Sequence, residues 1–150
     1  MTIKLVVGGL TLNIISAYAP QVGLDEETKR CFWEDLDEVV VSIPLTEKLF
    51  IGGDFNGHIG SVSAGYDEVH GGFGFGCRNS GGASLLDFTK AFGLRVANSS
   101  FPKKKEHLVT FRSSRAATQI DFWLLRKDDK SSVRTTRSYQ VRILRPNINY

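Results

Sequence analysis

Two β-rich runs open the chain, Ile3 to Val7 and Leu10 to Tyr18, and Gly8 and Gly9 between them predict a hairpin. Pro20 ends the second run. The apolar spacing then changes, with Phe32, Leu36, Val39, Val40 and Ile43 recurring at helical intervals and Glu26, Glu27, Glu34, Asp35 and Glu38 on the opposite face. That pattern predicts a helix over 25 to 43, stopped by Pro44. A short apolar strand follows over 48 to 53, and then a loop from Asp54 to Ser80. A second helix is predicted from Ser84 to Phe92, closed by Gly93, and three further strands at 94 to 98, 108 to 112 and 119 to 126. The order ββαβ, long loop, αβββ predicts mixed sheets with helices packed outside them, an α/β sandwich rather than a doubly wound parallel fold.

Composition narrows the class. With 150 residues, 41% hydrophobic and 23% charged, the chain suits one globular domain with a real core. No apolar run approaches the roughly 20 residues of a membrane-spanning helix. The start MTIKLVVGG lacks a cleavable secretory pattern, so an intracellular protein, nuclear or cytoplasmic, is expected. Cys31 and Cys77 have no CxxC spacing, which favours free thiols over a zinc site. Charge is distributed unevenly, about −5 over residues 1 to 100 and +8 over 101 to 150. A basic end beside an acidic cleft suits a polyanionic partner, and a solvated basic tail over 131 to 150 is the alternative.

Chemistry concentrates where apolar strands end. The run KLFIGG delivers Asp54 and Asn56, which a period of two would place on one face. IISAYAP ends in Tyr18 and Pro20, and TQIDFWLL carries Asp121 inside an otherwise apolar run. A charge there is costly unless it is paired, hydrogen-bonded or metal-bound. Hard oxygen ligands, an amide and a phenol, without a cysteine or histidine cluster, suit Mg²⁺ and a phosphoryl group better than zinc. The loop of 54 to 80 is long enough to be functional, and its glycines, GGFGFG included, form no dinucleotide fingerprint, so a flexible or substrate-flanking loop is expected. His58, His70, Asp67 and Glu68 match no metal-ligand spacing and read as surface loop residues. Asn98-Ser99-Ser100 is an incidental glycosylation sequon, and Lys103 to Lys105 a basic cluster read as a solvated turn.

YAP, then GDFN, then a late IDF in this order resembles the endonuclease/exonuclease/phosphatase superfamily. GYDEVHGGFGFG and SLLDFTKAFGL resemble the craniofacial development protein 2 group, which is similar to endonucleases of non-LTR retrotransposons. The resemblance covers residues 3 to about 130, a partial domain, and implies a four-layer αββα sandwich. It also implies roles: Tyr18 contacting the scissile phosphate, Asp54 positioning or activating water, Asn56 stabilising the phosphoryl group and Asp121 orienting a catalytic histidine. Mg²⁺ would be held at Asp54 and Asn56, and the partner would be nucleic acid, DNA in preference to RNA. The family pattern also carries a metal-binding glutamate before the YAP strand and a histidine near its end. Here the first acidic residue is Asp25 and the last histidine is His107. The expectation is therefore a partial member of a Mg²⁺-dependent phosphodiester-hydrolysing family with little or no catalysis by itself. Its alternatives are a non-catalytic nucleic-acid-binding remnant and an unstable fragment.

Overall fold

The computed structural model describes residues 1 to 129. A hairpin, β1 (Thr2–Val7) and β2 (Leu10–Tyr18), is followed by α1 (Glu26–Val41), β3 (Lys48–Asp54), α2 (Ser80–Ala91) and β4 (Leu94–Val96). A 3₁₀ turn (Ala97–Ser99), one helical turn α3 (Lys105–Leu108), a small ribbon of β5 (Phe111–Arg112) and β6 (Ala117–Thr118), and β7 (Asp121–Arg126) complete it. The main sheet runs β1-β2-β3-β7-β4. β2 and β3 are parallel, joined through α1, and every other pairing in that sheet is antiparallel.

Register decides which face each residue takes. Ile15, Ile51 and Leu124 are partners across β2, β3 and β7 and are all buried. Both long helices lie on that face, where the Trp33 ring packs against Phe88 of α2 at 5.4 Å and stacks on Phe55 at 6.3 Å. The opposite face is also apolar. Phe50 and Trp123 meet there with ring centroids 4.7 Å apart, while Ile3 and Leu5 of β1 remain exposed. The described residues thus supply one sheet-and-helix half of the expected layering, mixed and mostly antiparallel as read from the sequence.

Several boundaries moved for identifiable reasons. The first helix begins one residue later because Asp25 is its cap, its carboxylate accepting from Thr28 N at 2.7 Å. The second begins four residues earlier than its apolar pattern suggests. Asn79 caps it, accepting from both Gly82 N and His58 N at 2.9 Å. Gly81 and Gly82 disguise this start, since each is a poor helix former. They are needed because the α2 backbone lies directly on residues 57 to 59: a Cβ on Gly82 would collide with the His58 carbonyl, and one on Gly57 with Gly81.

The predicted strand 94 to 98 stops at Val96, and 108 to 112 yields only Phe111–Arg112 after a helical turn ending at Leu108. The run 119 to 126 begins pairing in the main sheet at Asp121. Asn98, expected at a strand end, instead lies buried in the 3₁₀ turn and bridges to β7, donating to the Asp121 carbonyl (2.9 Å) and accepting from Trp123 N (3.0 Å). Replacing it, Asn98→Ala, would leave two β7 backbone groups without partners. We expect a loss of about 2–4 kcal/mol in unfolding free energy, measured by urea denaturation.

Candidate active site

Three side chains named from the sequence stand abreast. Tyr18 is the register partner of Asp54, and Asp54 is the register partner of Asp121. Since β2 and β3 run parallel, Tyr18 and Asp54 both close their strands. β7 runs the other way, so Asp121 opens it at the same end of the sheet. Each lies three residues from the buried Ile15–Ile51–Leu124 row, which puts all three on the face away from the helices. Tyr18 is 68% exposed, and both aspartates are half-buried.

The fourth residue arrives by a different route. β3 ends at Asp54, and Asn56 adopts a left-handed backbone with φ of 46°, so the period-two expectation does not reach it. Its place is set by hydrogen bonds: its N–H donates to Asp54 Oδ1 at 2.8 Å and its side-chain Nδ2 donates to the Ala19 carbonyl at 2.7 Å. Ala19 N in turn donates to the Asp54 carbonyl at 2.8 Å, and Phe55 N to the Ile120 carbonyl at 2.9 Å. The three strands therefore stay laced together one residue past Asp54. One hydrogen of the Asn56 amide is used in this lacing, and the second has no partner among the described residues.

Asp121 is held through its backbone from two sides. Asn98 takes its carbonyl, and the hydroxyl of Thr110 accepts from Ile120 N at 3.0 Å and Asp121 N at 3.2 Å. Sequence reading missed Thr110, Asn98 and Asn79 as supports, because each acts on a segment that only the fold brings beside it. The electrostatics follow from the row. Burial raises the Asp54 carboxyl above its ordinary value, the Asn56 N–H opposes this, and the negative charge of Asp121 raises it further. Two carboxylates directly across an antiparallel pair repel.

That repulsion also bears on a metal. One or two carboxylates with water and phosphate completing the shell is the set Mg²⁺ takes, so the donor chemistry of Asp54, Asn56 and Asp121 fits a hard, largely hydrated cation. The set falls short of a closed site, since no group of three His, Cys, Asp or Glu placed to hold a metal occurs among the described residues. The buried Oε1 of Gln119, two residues before Asp121, has no hydrogen-bond partner.

The remaining candidates separate. Asp67 and Glu68 are exposed, as expected, Asp67 bonded to Ser63 and Glu68 paired with Lys127 at 3.1 Å. His58 is half-buried, and His70 is 1% exposed with both ring nitrogens engaged by backbone, which corrects its reading as a surface residue. The loop is packed. Arg78 binds the carbonyls of Ile59, Val62, Ser63 and Ala64 and lies over the Tyr66 ring at 4.8 Å. Cys31 and Cys77 are free thiols. Among the described residues no helix is long and apolar enough to cross a membrane. The 131 to 150 tail lies outside the described residues.

This fold, with polar residues ranged at one end of the sheet, is that of the endonuclease/exonuclease/phosphatase proteins. The endonuclease domain of TRAS1, a telomere-specific non-LTR retrotransposon, superposes over 85% of this chain and 50% of its own with a TM-score of 0.54 at 17% identity. An endonuclease/exonuclease/phosphatase family protein from Leptotrichia buccalis C-1013-b superposes over 84% and 41%, with a TM-score of 0.51 at 13% identity. In sequence the chain is similar to craniofacial development protein 2, 33% identical to that of Tragulus javanicus and 32% to that of Bos taurus over 129 residues. That match takes in 85% of this chain, which spans about a fifth (22%) of those relatives' length. No family model matches.

A pH experiment tests the carboxylate row. A carboxyl whose value is raised by folding favours the folded state below its unfolded value, 3.8, and that contribution is lost as pH rises through the folded value. Asp54→Asn keeps an acceptor for Asn56 N and removes the charge. We expect it to melt at a higher temperature than the parent at pH 7, with the gain vanishing below pH 3.8.

Proposed function

We propose that the chain carries part of a phosphodiester-hydrolysing site for nucleic acid and turns over little or no substrate by itself. The supporting observation is the single row of Tyr18, Asp54 and Asp121 across three adjacent strands. In this reading the Tyr18 hydroxyl donates to a phosphoryl oxygen, and the second amide hydrogen of Asn56 does the same where charge develops. Asp54 aligns the attacking water and takes its proton. Mg²⁺ held at Asp54 and Asn56, with Asp121 facing Asp54, would supply Lewis-acid polarisation of the phosphoryl group when bound. Asp121 faces Asp54 across the sheet, and its charge bears on that carboxyl. Groups that act as a unit lose orders of magnitude when one is missing, and the described residues hold no three-ligand metal set, hence the expected low turnover.

The nucleic-acid assignment rests on the segment that flanks Asp121. Residues 101 to 120 hold Lys103, Lys104, Lys105, Arg112 and Arg115 against Glu106 alone. The ribbon within this segment is tied to the start of β7 through the Thr110 hydroxyl. Lys104, Lys105, Arg112 and Arg115 are exposed, so the segment that leads into Asp121 offers cations from which a phosphate backbone would gain. The same observation favours a second reading, binding without cleavage, and DNA is the first substrate to try.

Supercoiled plasmid with Mg²⁺ separates the two readings. A slow nicking activity abolished by Asp54→Ala supports hydrolysis, whereas complete absence of Mg²⁺-dependent nicking leaves only the binding reading. For binding, neutralising Lys104, Lys105, Arg112 and Arg115 together should flatten the dependence of log affinity on log salt by about 3–4. An unchanged slope would remove these cations from the interface.

A further inference from the structure

His70 is spent on neither the carboxylate row nor the cationic ribbon, yet it is among the most buried polar residues described, at 1% exposure. Its Nε2 lies 2.9 Å from the Gly60 carbonyl, and its Nδ1 accepts from Gly72 N at 2.9 Å. A carbonyl needs a donor and an N–H needs an acceptor, so the partners select the neutral ring with its proton on Nε2. The ring thus joins the two limbs of the loop between β3 and α2. The backbone closes tightly around this join: a Cβ at Gly74 would collide with the Gly60 carbonyl and press on His70 Nε2, and one at Gly71 would collide with Ser99.

We propose that His70 is an acid-operated latch, which holds residues 60 to 76 closed while its ring is neutral and releases them when the ring takes a second proton. Protonation at Nδ1 would set an N–H against the Gly72 N–H, two donors facing each other at a ring with almost no access to water. The charged groups bearing on the ring are Arg78, whose cation opposes a second one, and Asp67, whose charge favours it. The 3₁₀ turn packed against Gly71 contributes only Ala97, Asn98 and Ser99, none of them charged. Burial acts in the same direction as Arg78 and pushes the imidazole below its ordinary 6.5, while the Gly60 carbonyl opposes that fall. Release frees the loop that links the end of β3 to the cap of α2, and it does so whether or not the carboxylate row cleaves anything.

The linkage has a definite sign. With the folded value depressed, the open form binds the extra proton first, so opening becomes easier as pH falls below 6.5 and levels off below the folded value. Amide exchange of Gly72, corrected for the intrinsic pH dependence of exchange, should lose protection about tenfold per pH unit across that window. Nitrogen-15 spectra of the His70 ring should show the Nε2–H form at neutral pH and titration at the pH where the loss of protection levels off. His70→Gln supplies a donor and an acceptor that do not titrate there, so its exchange over 60 to 76 should be independent of pH across the window. Two results would overturn the latch: Gly72 protection that persists while the His70 ring titrates, or equal acid-induced opening in the parent and in His70→Gln. The first is read on the parent alone, so the test stands even where the variant is destabilised.

Discussion

The common register of β2, β3 and β7 governs everything at the end of the sheet, and two glycines in β3 permit it. Gly52 lies under the Trp123 ring, and a Cβ there would come within 2.5 Å of Cζ3. A Cβ on Gly53 would collide with the Ala17 carbonyl of the neighbouring strand. Without side chains at these two positions β3 can lie close to β2 on one side and admit a large indole from β7 on the other. Tyr18, Asp54 and Asp121 are then brought level by the ladder itself rather than by any contact among their side chains.

Side chains take over where strands end. Asn98 and Thr110 hold the backbone of Asp121, Asn56 is fastened to Ala19, and Asn79 joins His58 to the first turn of α2. Each is a polar group buried or half-buried and matched to a backbone partner, which turns irregular chain into fixed chain without further secondary structure. The long loop after β3 is the extreme case, with Arg78 and His70 satisfying carbonyls and amides that a strand or helix would otherwise have paired. Against this ordered background the facing pair of aspartates is an electrostatic conflict, a local cost at a place where the surrounding backbone is firmly held.

Both faces of the main sheet are apolar, although among the described residues helices cover only one. Ile15, Ile51 and Leu124 meet α1 and α2, while Phe50, Trp123, Ile3 and Leu5 occupy the other side. Strands that are apolar on both sides belong to the inner layers of a sandwich, where a second layer packs about 10 Å away. This composition accords with the fold of the structural relatives, of which this chain covers half or less.

Local pattern was sufficient for the hairpin at Gly8 and Gly9, for α1 and for the existence of β3 and β7, because repeated apolar spacing and glycine at positive φ are properties of neighbouring residues. It was also sufficient to pick out Tyr18, Asp54, Asn56 and Asp121, since polar residues at the ends of apolar runs stand out in one dimension. It failed where a long-range partner sets the local form. Gly81 and Gly82 look like loop residues until the backbone of residues 57 to 59 is laid against them, and His70 looks like a surface histidine until Gly60 and Gly72 close around it. Only the tertiary structure decided that three of the four candidates share one row and that the fourth reaches it through hydrogen bonds. Strand register and backbone capture depend on contacts dozens of residues apart, and no local periodicity encodes them.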